Sequence, residues 1–434
     1  MSNAKKLLLS IGFTVGIAFA IVVVGRMVLL GYERFFDALI GRGGVRIAGE
    51  SNVPQIDLEY VSPTPPPHVG VDFIPDFSDF DDEIGLTLLE DPLPSPISIT
   101  PLGSLVMYSP GISLELPVVG ATGWAGVRTE LRHSPMIIDD YEHPPRFLAA
   151  GQKFVILIEW GDWWYVRLPS DEEGWVRHEV CFINLPDVIP SLVFNITNAS
   201  GSIKMSGEHE IPGITNVSLY NAHSFNHRYG RNMYIVPALY ATARRLFYVQ
   251  QTALAGGDTL VIYEVFRPHS TQQLVVNRLN DLMRENPYVR TALNADPWSP
   301  TWFISHGVSS HQRGAAVDVS IARVVDYEIA YTADFVHSFR RILDYVQHPM
   351  PTRMHDLHPY AATFVRPGST TFTDTMTDGA ILLQSYFTRH GFSPLASEWW
   401  HFNDTRGVDQ ARSFNITGNF YTENVMSFPP TFGD

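Results

Sequence analysis

The residues of this chain that could do chemistry are histidines and acids at short spacings in its C-terminal half. His311 and Asp318 lie seven residues apart in S-S-H-Q-R-G-A-A-V-D (residues 309–318). Gly314 and the apolar run after it predict a loop entering a strand, and such a loop can fold His311 back beside Asp318. An imidazole nitrogen and a carboxylate oxygen are ligands that suit zinc. This pair alone is weak evidence, because a surface histidine and a turn aspartate give the same pattern in a chain with 16 histidines.

Glu398 and His401 form a second pair, three residues apart in the strand-like segment S-E-W-W-H-F (residues 397–402). Strict alternation along a strand would put the two side chains on opposite faces, so a bulge or a strand end is needed. A third metal ligand beside a carboxylate is what metal-assisted hydrolysis requires, because the carboxylate takes the proton of the attacking water. Aromatic residues at this spacing are more often core residues, so this pair alone is also weak evidence.

Arg267 ends the apolar segment V-I-Y-E-V-F-R-P (residues 261–268), which reads as a buried strand. Two interpretations of this arginine are open. It could form an ion pair at the surface, or it could be a fixed guanidinium directed at a carbonyl oxygen that gains negative charge during a reaction.

The elements that must position these residues begin near residue 187, where helices and strands mix without regular alternation and so predict an α+β domain. Apolar residues recur at helical spacing in three segments. These predicted helices cover residues 237–255, 271–283 and 378–391. Short apolar runs predict strands at 259–266, 315–321 and 397–402. The candidate residues therefore lie in or directly beside predicted strands.

A different pattern precedes this region, at residues 121–186. Short strands broken by Gly and Asp predict a small barrel. The segment G-D-W-W-Y-V-R-L-P-S-D-E-E-G-W-V-R resembles bacterial SH3-like domains, in which two such strands flank a polar turn. The resemblance implies that Trp163, Trp164 and Trp175 could line a groove for cell-wall peptide. Alternatively, these tryptophans are partly core and the barrel is a spacer.

Taken together, the three motifs resemble one family. S-x-H-x-x-G-x-A-x-D followed by E-x-W-H, and preceded by a strand ending in F-R-P, is similar to the pattern of the D-Ala-D-Ala metallopeptidases. The pattern resembles that of the vancomycin-resistance-type D-alanyl-D-alanine dipeptidases and their cell-wall homologues, and the resemblance covers residues 187–410. It implies a hedgehog-like and D-Ala-D-Ala-peptidase-like zinc domain with a central antiparallel sheet.

The resemblance also implies roles for individual residues. His311, Asp318 and His401 would bind one Zn²⁺ ion per site, and Glu398 would be the general base. Arg267 would stabilise the tetrahedral oxyanion. The predicted metal ligands are therefore His311, Asp318 and His401. The predicted catalytic residues are Glu398 and Arg267.

Substrate-binding roles follow from the same resemblance. Ser309 would help to hold the substrate. The dipeptidases usually have an Asp three residues before the arginine, where this chain has Glu264, and a second acid falls loosely at Asp374 in F-T-D. Both acids are expected to bind the free amine of a dipeptide. Without them the enzyme would trim longer stem peptides.

The predicted substrate is therefore D-Ala-D-Ala or a peptidoglycan stem peptide that ends in it. The E-W-W-H-F form favours the dipeptidase branch of the family, whereas an anchor, a spacer and an SH3-like module favour substrate attached to the wall. Two alternatives stay open. One is a peptidoglycan endopeptidase that cuts stem peptides or cross-bridges, and the other is a non-catalytic wall-binding protein.

The N-terminal part predicts a membrane anchor at 1–32 and a spacer at 33–120. After Lys5 and Lys6, an uncharged run of 19 residues from Leu7 to Gly25 matches a bilayer core of about 30 Å. Residues 51–100 hold nine prolines and ten acids but no Lys or Arg, which is typical of an extended linker. The zinc domain is then predicted at 187–434.

Bulk composition narrows the classes of partner. The net charge of −15 argues against a nucleic-acid partner. The single cysteine, Cys181, excludes an intrachain disulfide and reads as a small buried residue. Stem peptides lie outside the membrane, so we expect a single-pass protein of the bacterial cell membrane, in a Gram-positive organism, with its catalytic domain extracellular. The sequence leaves the oligomeric state open.

Overall fold

The structure, a computed structural model, describes residues 114–135 and 146–419. The predicted anchor and most of the predicted spacer lie outside these residues. Within the described ranges, no helix combines the length and the apolar character that crossing a membrane requires. All described residues belong to one compact unit, Ile99–Asp434. The end of the predicted spacer, residues 114–120, packs into this unit with Leu116 and Val118 buried.

Strands make up most of the regular structure. In the first part of the described chain they are β1 Thr122–Ala125, β2 Thr129–Leu131, β3 Arg146–Leu148, β4 Lys153–Trp160, β5 Trp163–Arg167, β6 Glu173–Arg177, β7 Cys181–Asn184, β8 Val193–Phe194, β9 Met205–Ser206 and β10 His209–Glu210. They continue as β11 His223–Asn226, β12 Arg231–Tyr234, β13 Pro237–Leu239, β14 Asp258–Glu264, β15 Ala316–Tyr331, β16 Ser338–Gln347, β17 Phe392–Leu395 and β18 Glu398–Asp404.

Helices are fewer and carry the apolar periodicity seen in the sequence. They are α1 Leu185–Val188, α2 Thr197–Ser200, α3 Tyr240–Ala255, α4 His269–Glu285, α5 Pro287–Leu293, α6 Pro300–Phe303, α7 Asp378–Thr388 and α8 Thr405–Ser413, with 3₁₀ turns at His178–Val180 and Pro359–Ala361. The three predicted helices correspond to α3, α4 and α7. In α4, for example, the buried residues Val275, Leu279 and Leu282 follow the helical period and face the core.

The first large sheet has six antiparallel strands in the order β13-β7-β1-β4-β5-β6. Strand β13 joins it from beyond residue 187, because Ala238 pairs with Ile183. Trp164 and Cys181 are fully buried in its core, whereas Trp163 and Trp175 are only half-buried. Trp164 packs edge-on against Tyr240 of α3, with ring centroids 4.6 Å apart, so this sheet packs directly against the C-terminal region.

The second large sheet has the order β17-β18-β15-β14-β8, with β16 paired to β15. Its pairings are antiparallel except for β8 with β14. Strand β14 is buried along its whole length, as its continuous apolar run predicts, and α3 packs against it. Helix α7 contacts β15, β17 and β18. The predicted α+β class with antiparallel sheets is therefore confirmed, while the likeness to an SH3 barrel and to a hedgehog-type domain stays a prediction.

Candidate metal site

Strand register places three candidate residues side by side at the centre of the second sheet. Asp318 on β15 pairs with Glu264 on β14 and with His401 on β18. Directly paired residues on antiparallel strands project to the same face. Asp318 thus has an acidic neighbour on one side and an imidazole on the other, and all three side chains are buried.

His311 reaches Asp318 through a tight turn before β15. Gly314 has φ of +65° there, and its amide donates to the carbonyl oxygen of His311 at 3.0 Å. A Cβ atom on this glycine would lie 2.3 Å from the Phe182 ring, so only glycine fits this turn. The turn folds His311 back beside Asp318, as the spacing of the two residues predicts.

His311, Asp318 and His401 meet in a triangle of possible ligand atoms. The distance is 3.1 Å from His311 Nε2 to Asp318 Oδ1, 3.1 Å from His311 Nε2 to His401 Nδ1, and 3.1 Å from His401 Nδ1 to Asp318 Oδ1. All three residues are nearly inaccessible to solvent. We call this set the metal triad, because these three buried groups could hold a metal ion.

In each imidazole, the hydrogen bond made by the outer nitrogen determines which ring nitrogen carries the proton. His311 Nδ1 donates to the carbonyl oxygen of Val265 at 2.9 Å, and His401 Nε2 donates to Asn403 Oδ1 at 3.2 Å. In neutral rings the inner nitrogens therefore present lone pairs to one another and to the Asp318 carboxylate. Three acceptors with no hydrogen between them repel each other, and a cation at their centre removes this repulsion.

Protonation states are consistent with this arrangement. Burial raises the pKa of Asp318, but the surrounding imidazoles outweigh burial and hold that pKa well below its usual range, so the carboxylate is ionised. Burial lowers the pKa of His311. Burial acts on His401 in the same direction, but its contact with Asp318 is stronger and the pKa of His401 is raised. With no cation present, the His401 imidazole is thus the one that would take up a proton.

A second buried cluster lies directly behind the metal triad and shares Asp318. Glu264, Asp318 and His355 are also close enough to one another to hold a metal ion. However, Arg267 Nη2 lies 2.5 Å from Glu264 Oε2 and 2.7 Å from Asp318 Oδ2. The guanidinium already stands where a cation would bind. We call Glu264, Arg267, Lys204 and His355 the internal-cation cluster.

Lys204 and His355 complete this cluster, and neither was predicted from the sequence. Lys204 Nζ donates to His355 Nδ1 at 3.4 Å, so His355 Nε2 carries a proton and donates to Asp318 Oδ2 at 3.0 Å. Burial and then Arg267 lower the pKa of Lys204 to about 8, and burial and then Lys204 lower that of His355 to about 4. No spacing relates these residues to the motifs, so no sequence signal could have found them.

Glu264, predicted to bind substrate, is fully enclosed by protein. Its Oε1 accepts from Asn198 at 2.7 Å and from Tyr220 at 3.1 Å, and its Oε2 accepts from Arg267 Nε at 2.6 Å. Burial raises its pKa, but Arg267 and Lys204 outweigh burial and lower it to about 2. Both oxygens of Glu264 are thus used inside the fold, and Oε2 holds Arg267.

A cavity of ≈ 550 Å³ opens over the metal triad. Of the predicted site residues, it is lined by His311, His401, Glu398, Arg267 and Ser309. Glu264 does not line it. Asp374, the other predicted amine-binding acid, is exposed and does not line it either. The structure therefore brings the predicted metal, base, oxyanion and serine positions together, and separates them from the two predicted amine-binding acids.

Glu398 lies beside the metal triad at the start of β18. It is the first residue of the strand, and a register shift occurs between Pro394 and Leu395 on the neighbouring strand. This irregularity lets Glu398 and His401 face one cavity, with 3.8 Å between Glu398 Oε2 and His401 Nδ1. Burial, and then the charge of Asp318, raises the pKa of Glu398 to about 8. A cation at the triad would lower it again, so Glu398 is suited to exchanging protons near neutral pH.

Arg267 forms one wall of the cavity and is held from three sides. Its Nε donates to Glu264, its Nη1 to Gln272 Oε1 at 3.0 Å, and its Nη2 to Asp318. Only 6% of the residue is exposed, so the surface ion pair considered from the sequence does not describe it. A guanidinium that is fixed in this way presents positive charge to the cavity without having to reorganise.

No family model matches this chain, and no curated protein matches it.

Proposed function

We propose that this protein is a zinc-dependent peptidase that hydrolyses D-Ala-D-Ala bonds in peptidoglycan metabolism, as a dipeptidase or a D,D-carboxypeptidase. The observation that carries the proposal is the metal triad of mutually facing acceptors, with Glu398 and Arg267 on the wall of the same cavity. The D-Ala-D-Ala specificity comes from the motif resemblance described above.

The donor set of the metal triad fits zinc. Two imidazole nitrogens and one carboxylate oxygen are typical of catalytic zinc sites, which leave a fourth position open. Tetrahedral ligands at about 2.0–2.1 Å from zinc lie about 3.3 Å from each other, close to the 3.1 Å separations in the triad. Zinc held there would supply Lewis acidity, which polarises a substrate carbonyl and makes water acidic near neutral pH.

Three side chains of the cavity would do the remaining work. Glu398 takes the proton of the attacking water and later gives it to the leaving amine. Arg267 faces the oxygen that gains negative charge, and its three protein partners keep it in place. Ser309 Oγ accepts a hydrogen bond from the backbone amide of Gln312 at 3.2 Å, so the hydroxyl hydrogen of Ser309 stays available to donate to the substrate.

The location of the protein is part of the proposal. Peptides that end in D-Ala-D-Ala lie outside the bacterial membrane, so the predicted anchor at 1–32 would hold an extracellular catalytic domain near its substrate. The half-buried Trp163 and Trp175 on the first sheet support contact between that sheet and wall material. Trp164 is excluded from such contact, because it is fully buried.

The proposal is tested by identifying products with mass spectrometry. The full-length, zinc-loaded protein is incubated in detergent with D-Ala-D-Ala, with a stem pentapeptide and with purified cell wall. Release of D-Ala from the dipeptide alone indicates a dipeptidase, and release from the pentapeptide indicates a carboxypeptidase. Fragments cut inside the stem or the cross-bridge would replace the proposal with the endopeptidase alternative. No cleavage of any substrate by protein that holds one zinc would overturn it.

The matched control is Glu398→Gln, which keeps the shape of the side chain but removes the base. We expect this variant to bind zinc like the wild type and to lose about 10²–10⁴-fold in kcat, the usual contribution of general acid–base catalysis. A variant with near wild-type kcat would show that another group accepts the proton.

A further inference from the structure

The cavity over the metal triad also contains two arginines that the proposed mechanism does not use. Arg313 lies two residues after His311, in the turn that precedes β15, and Arg412 lies near the end of α8. Both line the same cavity as Glu398. Arg412 comes from a helix that lies beyond the three sequence motifs.

Arg313 has a positive charge with no carboxylate partner among the residues that the structure describes. Its Nη1 donates to the carbonyl oxygen of Val308 at 2.7 Å, and its Nε is buried without an acceptor. Buried donors without a partner are rare in folded proteins, and each calls for an explanation.

The positive charge of Arg412 is also only weakly balanced by carboxylates. Within the described ranges its one ion pair is with Asp409, at 3.7 Å and one helical turn away, and both side chains are about two-thirds exposed. Such surface pairs contribute little. Arg313 and Arg412 thus bring two positive charges to a cavity in which, among the described residues, Asp409 is the one acid that pairs with either of them.

We propose that Arg313 and Arg412 form a subsite that binds a carboxylate of the peptide substrate. A guanidinium matches a carboxylate in charge and in planar hydrogen-bonding geometry, so a carboxylate in this cavity would supply the counter-charge that Arg313 lacks. The cavity also has an apolar part, with Trp302, Ile304 and Leu395, which suits the short side chain of the same residue. This inference rests on the proposed peptidase function.

The carboxylate could come from two sources, the C-terminus of the peptide or an acidic side chain within it. A C-terminal carboxylate at this subsite would make the enzyme an exopeptidase, because an internal peptide bond brings no such group. An acidic side chain would be compatible with cleavage inside a stem peptide. The same pair of arginines thus bears on the dipeptidase, carboxypeptidase and endopeptidase alternatives.

The test compares matched substrates on the full-length, zinc-loaded protein. A peptide with a free C-terminal carboxylate is compared with its C-terminal amide, and a peptide with an acidic side chain is compared with its carboxamide analogue. We expect at least one neutralisation to lower kcat/KM about tenfold, mainly through KM, as for loss of a charged hydrogen bond. Arg412→Ala should cause the same loss on the charged peptide and little loss on its neutral analogue. Arg406→Ala on the same helix, exposed and outside the cavity, is the control and should change neither.

A binding measurement separates the subsite from catalysis. N-acetyl-D-alanine and its amide are titrated calorimetrically into Glu398→Gln protein, with and without Arg412→Ala. If the subsite takes a C-terminal carboxylate, the free acid binds about tenfold tighter than the amide, and only while Arg412 is present. If wild-type protein hydrolyses peptides but neither charge neutralisation nor Arg412→Ala changes KM, the subsite is overturned and the peptidase function stands. If wild-type protein hydrolyses no peptide and neither compound binds, both proposals are overturned.

Discussion

Two clusters of buried polar groups share Asp318 and differ in the source of their positive charge. In the metal triad, Asp318 Oδ1 faces two imidazole lone pairs when both rings are neutral, and no protein hydrogen then lies between them. In the internal-cation cluster, Asp318 Oδ2 accepts from Arg267 and His355, with Lys204 behind His355. One oxygen of a single carboxylate thus faces acceptors, and the other faces donors.

This difference shows how a metal site can be distinguished from a structural ion network. Both clusters pass a simple distance criterion for metal binding. Only the metal triad has more acceptors than donors, because the imidazole protons are directed outward to Val265 and Asn403. A buried set of acceptors is costly unless a cation joins it, whereas the second set already contains its cations. The hydrogen-bond directions therefore favour the first cluster as the one that could hold a metal ion.

Removing the internal cation should have the largest effect on stability. Arg267→Ala leaves the carboxylates of Glu264 and Asp318 buried without their main counter-charge. Breaking one partner of a buried ion pair costs about 3–5 kcal/mol. We expect that loss in the free energy of unfolding, measured by urea denaturation of the metal-free protein. Arg278→Ala, which breaks an exposed pair with Asp281, is the control and should cost less than about 1 kcal/mol. Equal losses in the two variants would contradict the structural role of Arg267.

Adding zinc should have a similar effect on the metal triad. Zinc at about 1,000 times its dissociation constant should stabilise the wild-type protein by about 4 kcal/mol. His311→Ala removes one corner of the metal triad and should abolish this stabilisation, as measured by thermal unfolding with and without zinc. His209→Ala, an exposed histidine outside the triad, should keep it. If zinc stabilised His311→Ala as strongly as the wild type, the metal would have to bind elsewhere.

The sequence predicted the metal triad because its members belong to local motifs. The glycine turn after His311 and the strand that carries Asp318 are readable within ten residues, and the E-W-W-H segment shows the need for a bulge. The same is true of the α+β class, since apolar periods are local. What joined the motifs was their resemblance to a family. The 3.1 Å triangle itself depends on the pairing of β15 with β18, which no single segment specifies.

The internal-cation cluster could not be predicted, because its members come from separate places in the chain. Lys204 lies 60 residues before Glu264, and His355 lies 37 residues after Asp318, so no spacing connects them. The role of Glu264 could not be predicted from the sequence either. Asn198 and Tyr220 come from distant segments of the chain and donate hydrogen bonds to its Oε1. The residue that was predicted to contact substrate therefore lies inside the fold, where it supports Arg267.

The link between the clusters can be measured through His355, which donates to Asp318 but does not belong to the metal triad. His355→Ala removes this hydrogen bond and leaves the metal triad intact. Loss of such a supporting partner usually weakens metal affinity about 10–100-fold. We expect that loss for zinc, measured by competition with a chelator of known affinity. His358→Ala is the control, because its ring stacks near Tyr288 and Tyr360 instead. Unchanged zinc affinity in His355→Ala would mean that the two clusters act independently.

The smallest expected effect is a pH dependence that should appear only while the metal triad lacks its cation. Burial raises the pKa of Glu398 from 4.5 to about 8 in the metal-free protein. The folded state therefore holds this proton more tightly than the unfolded state, and the associated stability is present at low pH and lost as pH rises towards 8. We expect the metal-free wild type to lose about 1 kcal/mol per pH unit between pH 6 and 7 relative to Glu398→Gln. Urea denaturation of both proteins in chelator measures this difference.

Zinc supplies the control for this last prediction. A divalent cation at the triad favours the ionised Glu398 carboxylate, so the folded-state pKa falls towards that of the unfolded chain. The pH-dependent difference between the wild type and Glu398→Gln should then shrink when zinc is added. In His311→Ala, which cannot hold the metal, the difference should persist with zinc present. A difference that zinc leaves unchanged in the wild type would show that the cation and Glu398 do not interact, and would contradict the proposed role of Glu398 as the base beside the metal triad.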